Sequence, residues 1–374
     1  MKVLFTGGGT GGHVYPALAV VDALKARDDL APVEIAWVGR SESVEQGLVQ
    51  RHGLSFMPIT TGALRGRSLP QRLRTGLLLI KGIFEALRLI RRFRPEAVFS
   101  TGGYVSAPLT IASWLSRVPV VIYLPDLAPG LAIKALARWA TAICVSFESV
   151  AQYFDRNKVV VTGYPVRRQL WETDPSAARE RLGLEPERPV LLVLGGSTGA
   201  RSINDAVSVA LEGLLAQCQV VHVTGPADLD RLLARAKDLA ADKAAGYHLY
   251  GYLHEEMVDA LASANLVVSR AGASTLAEFP AVGLPAVLVP YPYAGPNQGV
   301  NAAFLVERGG AVLIKDQDLQ ASLLQEVTRL LSDGLELERM STAMQAIAVR
   351  DAAERLVTTL VAVTGRRYRA RDGN

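Results

Sequence analysis

The feature that most constrains the fold is a short apolar run, then a glycine-rich turn, then a helical pattern, in an order that occurs twice. VLFTG (residues 3–7) leads through a glycine turn into PALAVVDALKAR, and PERPVLLVLGGSTGARSINDAVSVAL (186–211) repeats the order. Further apolar runs alternate with helical stretches after both turns. Such alternation is typical of a parallel sheet with helices on both faces. The sequence therefore predicts an α/β chain with two Rossmann-like, doubly wound halves and a cleft between them.

The length and the position of the break between the halves predict the domains. At 374 residues the chain is too long for one ordinary hydrophobic core, and the strand pattern stops near 163–175. We predict domains at 1–164 and 165–345, with a helical segment at 346–374 that packs back toward the N-terminal domain. The other predicted strands are 33–39, 96–103, 119–124, 142–147 and 158–163 in the first half, and 218–225, 247–252, 264–270 and 285–291 in the second.

Composition and charge indicate which partners, which redox compartment and which kinds of membrane segment to expect. The net charge of +4 suits an anionic surface or substrate and does not require nucleic acid, which we do not expect as a partner. Cys144 and Cys218 lie in apolar runs without metal-ligand spacing, so we expect buried free thiols in a reducing compartment. The amino terminus resembles a strand rather than a signal peptide. Glycine and proline interrupt the uncharged stretches 97–116 and 279–306, which argues against membrane spans.

Three glycine-rich segments stand at predicted strand ends: TGGGTGGH (6–13), STGGYVSAP (100–108) and LGGSTGARS (194–202). Glycines let a backbone approach a phosphate, and the N–H groups at a helix start bind an anion. A single such turn is often only structural, but three of them favour phosphate binding.

The first segment also matches G-x-G-x-x-G, the pattern of dinucleotide-binding turns. That pattern requires an acidic residue at the end of the second strand, where this chain has Gly39 and Arg40. No G-K-[ST] follows the glycines, which excludes a P-loop. We therefore expect no redox cofactor and no other cofactor.

Several segments together resemble the MurG family of N-acetylglucosaminyltransferases. They are GGGTGGHVYPA, TGGYVSAP, GGSTGARSIN, SRAGASTLAEFPAVGLPAVLVP and NQGVNA, in family order across nearly the whole chain. The resemblance implies a GT-B fold, in which two Rossmann-like domains face across a cleft. It also implies inverting transfer of N-acetylglucosamine from UDP-N-acetylglucosamine to undecaprenyl-pyrophosphoryl-muramoyl-peptide without a metal. The segments expected to line the cleft lack an obvious D-x-D metal motif.

For the donor, the resemblance implies a set of residues mainly in the second half. Glu278 is expected to accept hydrogen bonds from the ribose hydroxyls, with a solvated helix residue as the alternative. Gln298 and Asn301 are expected to read the sugar hydroxyls, or else to cap turns. Ser197 is expected at a donor phosphate, as is Arg167, for which a surface cation is the alternative. The backbone near Leu253 or His254 is expected at the uracil. Ala273, Ser274, Thr275, Leu276 and Ala277 are expected along the diphosphate, and Thr10, Gly11, Gly12 and Asp126 complete the donor set.

For the acceptor, the resemblance implies that the first two glycine segments bind the lipid-linked pyrophosphate. The expected contacts are Thr10, Gly11, Gly12, His13, Gly102, Gly103 and Tyr104. His13 has three open roles: it binds or orients the acceptor, takes the proton from the sugar 4-hydroxyl, or caps the helix.

A lipid-linked acceptor also predicts a surface that meets the cytoplasmic face of the membrane. Residues 64–95 place many arginines and lysines around apolar side chains, which is typical of a peripheral patch on anionic lipid. The alternative is a core helix with a solvated basic face. The expected patch comprises Leu77, Ile80, Ile83, Phe84 and Trp114.

One stretch departs from the family pattern. Where the family has H-E-Q-N, with an Asn that contacts the donor, this chain has Tyr123, Leu124, Pro125 and Asp126; Asn297 also replaces a His. A carboxylate at 126 is repelled by a diphosphate unless paired, whereas opposite a sugar hydroxyl it suits a general base. We therefore treat His13 and Asp126 as the candidate catalytic residues.

Two other functions stay open at the sequence level. A hydrolysing UDP-N-acetylglucosamine 2-epimerase uses the same fold; Asp126 slightly favours it, and the basic and apolar segment 64–95 opposes it. A non-catalytic UDP-sugar or lipid-binding protein is the second alternative, and binding without turnover would distinguish it.

Overall fold

The computed structural model describes residues 1–8, 11–62, 69–293 and 297–365. By its internal contacts the chain divides into two compact units. Unit 1 comprises Met1–Arg167 and Val349–Asn374, and unit 2 comprises Arg168–Ala348. The division follows Arg167, three residues beyond the predicted boundary, and the chain returns to unit 1 at Val349 rather than at residue 346.

Unit 1 is built on a parallel sheet, with seven strands among the described residues, in the order β3-β2-β1-β4-β5-β6-β7. The order reverses direction beside β1, as in doubly wound folds. The strands are β1 Lys2–Thr6, β2 Glu34–Gly39, β3 Ser55–Pro58, β4 Ala97–Ser100, β5 Val120–Leu124, β6 Ala142–Val145 and β7 Val159–Val161. The helices are α1 Gly11–Lys25, α2 Val44–Arg51, α3 Leu69–Phe93, α4 Ala107–Leu115 and α5 Leu131–Leu136, with short 3₁₀ turns at Asp28–Leu30, Tyr104–Ser106, Ala137–Trp139, Glu148–Tyr153 and Arg156–Lys158.

A row of aromatic side chains crosses one face of this sheet. Trp37, Phe5, Phe99 and Tyr123 lie on neighbouring strands with ring centroids 5.1–6.3 Å apart, and all four are fully buried. Because side chains alternate along a strand, the row occupies one face only and leaves the other for different helices. The row belongs to a larger buried apolar cluster, whose removal from water stabilises unit 1.

Unit 2 repeats the architecture, with a parallel sheet of six strands among the described residues in the order β10-β9-β8-β11-β12-β13. The strands are β8 Val190–Leu194, β9 Gln219–Val223, β10 Tyr247–Tyr250, β11 Leu266–Ser269, β12 Ala286–Leu288 and β13 Ala311–Leu313. The helices are α6 Gln169–Glu172, α7 Pro175–Arg181, α8 Arg201–Leu215, α9 Leu229–Ala236, α10 Ala241–Ala244, α11 Met257–Ser263, α12 Thr275–Val282, α13 Asn297–Glu307, α14 Leu319–Ser332 and α15 Gly334–Gln345, with a 3₁₀ turn at Asp316–Asp318.

The last described helix, α16 Ala352–Val363, belongs to unit 1. Its apolar positions Leu356, Val357 and Leu360 are buried in the same cluster as Phe5 and Trp37. The C-terminal segment therefore completes the core of the N-terminal unit.

Cys144 and Cys218 are buried and free, as expected. In the part of the chain that the structure describes, no helix is long and apolar enough to cross a bilayer.

Candidate active site

In unit 1 the glycine turns meet at one edge of the sheet. β1, β4 and β5 are neighbours and parallel, so the segments after their carboxyl ends lie side by side, where open α/β sheets bind ligands. The first two turns also touch. A side chain on Gly7 would overlap Thr101, and a Cβ on Gly103, whose φ is 82°, would lie 2.7 Å from the Gly8 carbonyl oxygen. Glycine is required at Gly103, because its φ is positive and its backbone packs directly on that of Gly8, whereas at Gly7 the space of a side chain is taken by the side chain of Thr101.

The structure brings most of the predicted acceptor residues to this edge. Gly11 and Gly12 open α1, and His13 follows in its first turn. The His13 side chain is half-buried, and its buried Nδ1 has no hydrogen-bond partner among the described residues. Gly102 and Gly103 have positive φ and precede the 3₁₀ turn that begins at half-buried Tyr104. Thr10 lies outside the described residues.

The departing stretch Tyr123–Asp126 ends at the same edge. Tyr123 and Leu124 close β5, and both are buried. The Tyr123 hydroxyl lies 2.8 Å from Ser146 Oγ, and burial raises the pKa of this phenol well above its ordinary value despite that hydrogen bond. Pro125 comes next and is buried, and the side chain of Asp126, just beyond the strand, is half-buried. Asp126 therefore follows the carboxyl end of β5, the strand next to β4, at the same end of the sheet as the first two glycine turns.

Arg167 lies in unit 1 against helix α1. Its guanidinium carbon is 5.2 Å from the centre of the Tyr15 ring, a cation–π distance. The half-buried cation is thus held next to the first two turns of α1.

In unit 2 the third glycine turn precedes α8. Gly199 has φ of 80°, and a Cβ there would overlap the Thr224 carbonyl that follows β9. Ser197 is half-buried within this turn. The backbone between β8 and α8 is therefore held closely to the neighbouring strand end, as a phosphate-binding turn requires.

β11 is parallel to β8 and pairs with it, so the turn between β11 and α12 lies at the same end of the unit 2 sheet as the third glycine turn. The Thr275 hydroxyl donates to the Gly272 carbonyl oxygen at 2.6 Å. Ala273 and Ser274 are half-buried, whereas the side chains of Thr275, Leu276 and Ala277 are buried. Glu278 is half-buried on the first turn of α12. A carboxylate near a helix start is stabilised by the helix dipole.

Asn301, which is expected to read a sugar hydroxyl or to cap a turn, lies on α13. Its side chain is 1% exposed, and Nδ2 donates to the Ala271 carbonyl oxygen at 3.1 Å. Asn301 thereby ties α13 to the turn that precedes α12. Gln298 is half-buried, and its Oε1 accepts from the Tyr291 backbone N–H at 2.8 Å, which leaves its own N–H groups for other contacts.

The segment predicted for the uracil follows β10. Leu253 is buried and His254 is exposed, with its ring centroid 4.6 Å from that of Tyr252. The His254 backbone N–H donates to the Glu256 carboxylate at 3.1 Å. The backbone near Leu253 or His254 is predicted to contact the uracil. The N–H of His254 is already engaged with Glu256.

Sequence reasoning missed an ion pair between buried Arg270 and half-buried Asp316, in the segments that follow β11 and β13. The Arg270 guanidinium, directly after β11, lies 2.5 Å from Asp316 and donates to Ser202 Oγ at 2.7 Å and to the Val289 carbonyl at 3.0 Å. These partners connect α8 with the segments after β11, β12 and β13. The available signal was a charged residue immediately after an apolar strand.

Two Asp-x-Asp sequences, at 228–230 and 316–318, lie outside the turns described above. Asp228 pairs with Arg201 at 2.9 Å, and Asp316 pairs with Arg270. Their first carboxylates are therefore engaged with arginines. Among the described residues, no group of three or more His, Cys, Asp and Glu side chains is arranged to hold a metal ion.

The predicted membrane patch lies on α3 and α4 of unit 1. Leu77 (68% exposed), Ile80, Phe84 (62%) and Trp114 are exposed, whereas Ile83 is half-buried. Four of the five predicted members thus form an apolar surface. The Trp114 ring also lies 6.2 Å from that of Trp139, over which the Arg138 guanidinium is placed.

Comparison with known proteins agrees with this architecture. Residues 3–145 match the glycosyltransferase family 28 N-terminal domain, and residues 190–356 match the family 28 C-terminal domain. A relative from Roseiflexus sp. (strain RS-1), described as UDP-N-acetylglucosamine--N-acetylmuramyl-(pentapeptide) pyrophosphoryl-undecaprenol N-acetylglucosamine transferase, is 39% identical over 99% of this chain and 97% of its own. A relative of the same description from Moorella thermoacetica is 39% identical over 96% of this chain and 98% of its own.

Solved structures give the same result for the fold. The crystal structure of Acinetobacter baumannii MurG has a TM-score of 0.72 and 25% identity, covering 96% of this chain and 99% of that one. The Neisseria meningitidis UDP-GlcNAc 2-epimerase bound to UDP-GlcNAc has a TM-score of 0.69 at 14% identity, covering 97% and 100%, and shows the fold alone.

The fold and the two glycine-rich sheet edges define a glycosyltransferase with the two parallel-sheet domains of the GT-B fold. The chain belongs to the MurG family.

Proposed function

We propose that this chain transfers N-acetylglucosamine from UDP-N-acetylglucosamine to the 4-hydroxyl of undecaprenyl-pyrophosphoryl-N-acetylmuramoyl-peptide, converting lipid I to lipid II in peptidoglycan synthesis. The observation that carries this proposal is full-length similarity to relatives named for that transfer. The reaction proceeds with inversion and without a bound metal.

Unit 2 binds the donor in this proposal. Glu278 accepts hydrogen bonds from the ribose hydroxyls, since a carboxylate has two acceptor oxygens. The turn that precedes α12 and the turn containing Ser197 present backbone N–H groups to the diphosphate, where helix dipoles stabilise the leaving UDP. Gln298 donates to the sugar with its free amide hydrogens, and Asn301 contributes by holding the turn at Ala271.

Unit 1 binds the acceptor. The turns around Gly12 and Gly103 cradle the pyrophosphate, and His13 at the start of α1 donates to it. Arg167, held against Tyr15, supplies positive charge that stabilises the leaving UDP.

The chemical step requires a base on the acceptor hydroxyl. We assign that role to Asp126, because the His13 imidazole lacks an orienting partner on Nδ1 among the described residues. The 4-hydroxyl oxygen attacks the anomeric carbon as its proton passes to the Asp126 carboxylate. The bond from the anomeric carbon to the phosphate oxygen breaks, and UDP leaves with the electron pair.

A lipid-linked acceptor places this reaction at the cytoplasmic face of the membrane. The exposed residues Leu77, Ile80, Phe84 and Trp114 enter the interface, and the basic residues of α3 meet anionic headgroups.

UDP release with and without acceptor tests the proposal. We expect release only when the lipid-linked muramoyl-peptide is present. Release in its absence would indicate hydrolysis or epimerisation instead. Tight binding of UDP-N-acetylglucosamine with no release under either condition would indicate a binding protein.

A further inference from the structure

Helix α1 contains a proline where the helix needs a donor. Pro16 is buried inside Gly11–Lys25 and has no backbone N–H. In an α-helix the N–H of the residue at position 16 bonds the carbonyl four residues earlier, which is that of Gly12. Proline lacks this N–H, and its ring also crowds the Gly12 oxygen. The carbonyl of Gly12 therefore loses its helical partner at the turn that carries His13.

A side chain from the end of the first Rossmann-like sheet meets this carbonyl. The Tyr164 hydroxyl donates to the Gly12 oxygen across 3.4 Å, a long hydrogen bond, although 152 residues separate the two in sequence. Tyr164 is 5% exposed. A carbonyl only accepts, so the direction of this bond is fixed.

Tyr164 is itself held in position. Its ring meets the Tyr123 ring edge-on, with centroids 6.2 Å apart and planes at 81°. The Tyr123 hydroxyl in turn lies 2.8 Å from Ser146 Oγ and 3.5 Å from the Gly163 carbonyl. Three residues after Tyr164, Arg167 stacks on Tyr15 of α1, so the same short segment contacts α1 at two points.

We propose that Tyr164 is a positioning residue, which supplies the hydrogen bond that Pro16 removes and so fixes the first turn of α1 and His13. The inference rests on the proposed function in one respect, namely that this turn binds the acceptor diphosphate. Tyr164 touches neither substrate and acts through Gly12.

Tyr164→Phe removes the hydroxyl and keeps the ring. We expect KM for the lipid-linked acceptor to rise about three- to tenfold, the range for one neutral hydrogen bond, with KM for UDP-N-acetylglucosamine unchanged. Tyr153→Phe, at an exposed tyrosine of unit 1, is the matched control and should leave both constants unchanged. Equal acceptor KM in Tyr164→Phe and wild type would overturn the inference.

The double variant Tyr164→Phe/Pro16→Ala gives the sharper test. The second substitution restores a backbone N–H to the Gly12 carbonyl, so the acceptor KM should return to the wild-type value. A double variant as impaired as Tyr164→Phe would show that the hydroxyl acts in another way.

Amide hydrogen exchange in the first two turns of α1, measured without substrates, separates this inference from the proposed function. We expect faster exchange in Tyr164→Phe and recovery in the double variant. If wild type transfers no sugar but exchange follows this pattern, the proposed function fails and the inference stands. Unchanged exchange in Tyr164→Phe overturns the inference whatever the activity.

Discussion

The imidazole of His222 and the side-chain amide of Asn204 meet in the interior of unit 2, with Nε2 and Oδ1 3.1 Å apart. The Asn204 nitrogen faces two acceptors, the Thr224 carbonyl at 2.9 Å and Asp228 Oδ2 at 2.8 Å, which orients the amide. Nε2 of His222 must then carry the proton, and Nδ1 accepts from the Tyr247 hydroxyl at 2.9 Å. A neutral His222 satisfies every bond of this network, which supports α8 directly after the third glycine turn.

This neutral histidine predicts acid sensitivity. Burial lowers the pKa of His222 from 6.5 to about 3. The negative charge of Asp228 raises this pKa in part, and the positive charge of Arg231 lowers it further. Between these values the unfolded chain binds a proton that the folded chain does not, so the free energy of unfolding falls as pH decreases below 6.5. The slope from one such group is at most about 1.4 kcal/mol per pH unit. Urea unfolding at several pH values measures it.

The variant His222→Gln should have a slope smaller by up to about 1.4 kcal/mol per pH unit between pH 6.5 and 4.5, whatever its overall stability. The slope that remains includes His248, whose pKa burial also lowers. His254→Gln, at an exposed histidine of the same unit, should keep the wild-type slope. Asp228 does not contribute to the slope between pH 6.5 and 4.5. Burial raises the pKa of its carboxyl, but hydrogen bonds from Asn204 and Arg231 outweigh that effect, so the pKa lies below its ordinary value of 3.8. An unchanged slope in His222→Gln would contradict the assignment.

Glu278→Gln tests the donor site. Loss of a charged hydrogen-bond acceptor for the ribose should raise KM for UDP-N-acetylglucosamine about 10- to 100-fold, with KM for the acceptor unchanged. Steady-state kinetics with each substrate varied measures both constants. Glu307→Gln removes an exposed carboxylate from α13 and should behave as wild type. A wild-type donor KM in Glu278→Gln would assign the residue to the solvated surface of α12.

Asp126→Asn tests the assigned base. The change keeps the shape of the side chain and removes its basicity, so kcat should fall about 10²- to 10⁴-fold with donor KM unchanged. His13→Gln should instead raise the acceptor KM, because in the proposed function His13 donates a hydrogen bond to the acceptor pyrophosphate. If Asp126→Asn retains turnover and His13→Gln abolishes it, the roles of the two residues are reversed.

The triple variant Leu77→Ser/Ile80→Ser/Phe84→Ser tests the membrane patch. It removes exposed apolar side chains from α3 and should release the protein from anionic vesicles in a sedimentation assay. Activity toward a water-soluble acceptor analogue should persist. Leu335→Ser, at a 73% exposed leucine of unit 2, is the control and should sediment as wild type. Full vesicle binding by the triple variant would place the membrane contact elsewhere.

The long apolar strands were predictable from the sequence, and two short strands were not. β3 (Ser55–Pro58) is a half-exposed edge strand without an apolar run or a clear alternation. β13 (Ala311–Leu313) lies in an apolar run of only four residues, which is too short to stand out from the helical stretches on either side. The parallel order also explains why segments distant in sequence meet at each sheet edge.

Side-chain partners within the candidate site could not be predicted. Nothing local indicates that Asn301 bonds Ala271, that Arg270 bonds Asp316, or that Tyr164 reaches Gly12, because each contact joins residues remote in sequence. A family motif identifies a residue type at a position, whereas burial determines which of its atoms remain available to a ligand.

The most direct test of the central claim is to identify the product. The protein is incubated with labelled UDP-N-acetylglucosamine and authentic undecaprenyl-pyrophosphoryl-N-acetylmuramoyl-peptide in the presence of a metal chelator, and the lipid fraction is analysed by mass spectrometry and NMR. We predict a lipid-linked disaccharide in which N-acetylglucosamine is joined β-1,4 to the muramoyl residue, formed in equal amount to released UDP. Absence of that disaccharide with the authentic acceptor would contradict the account.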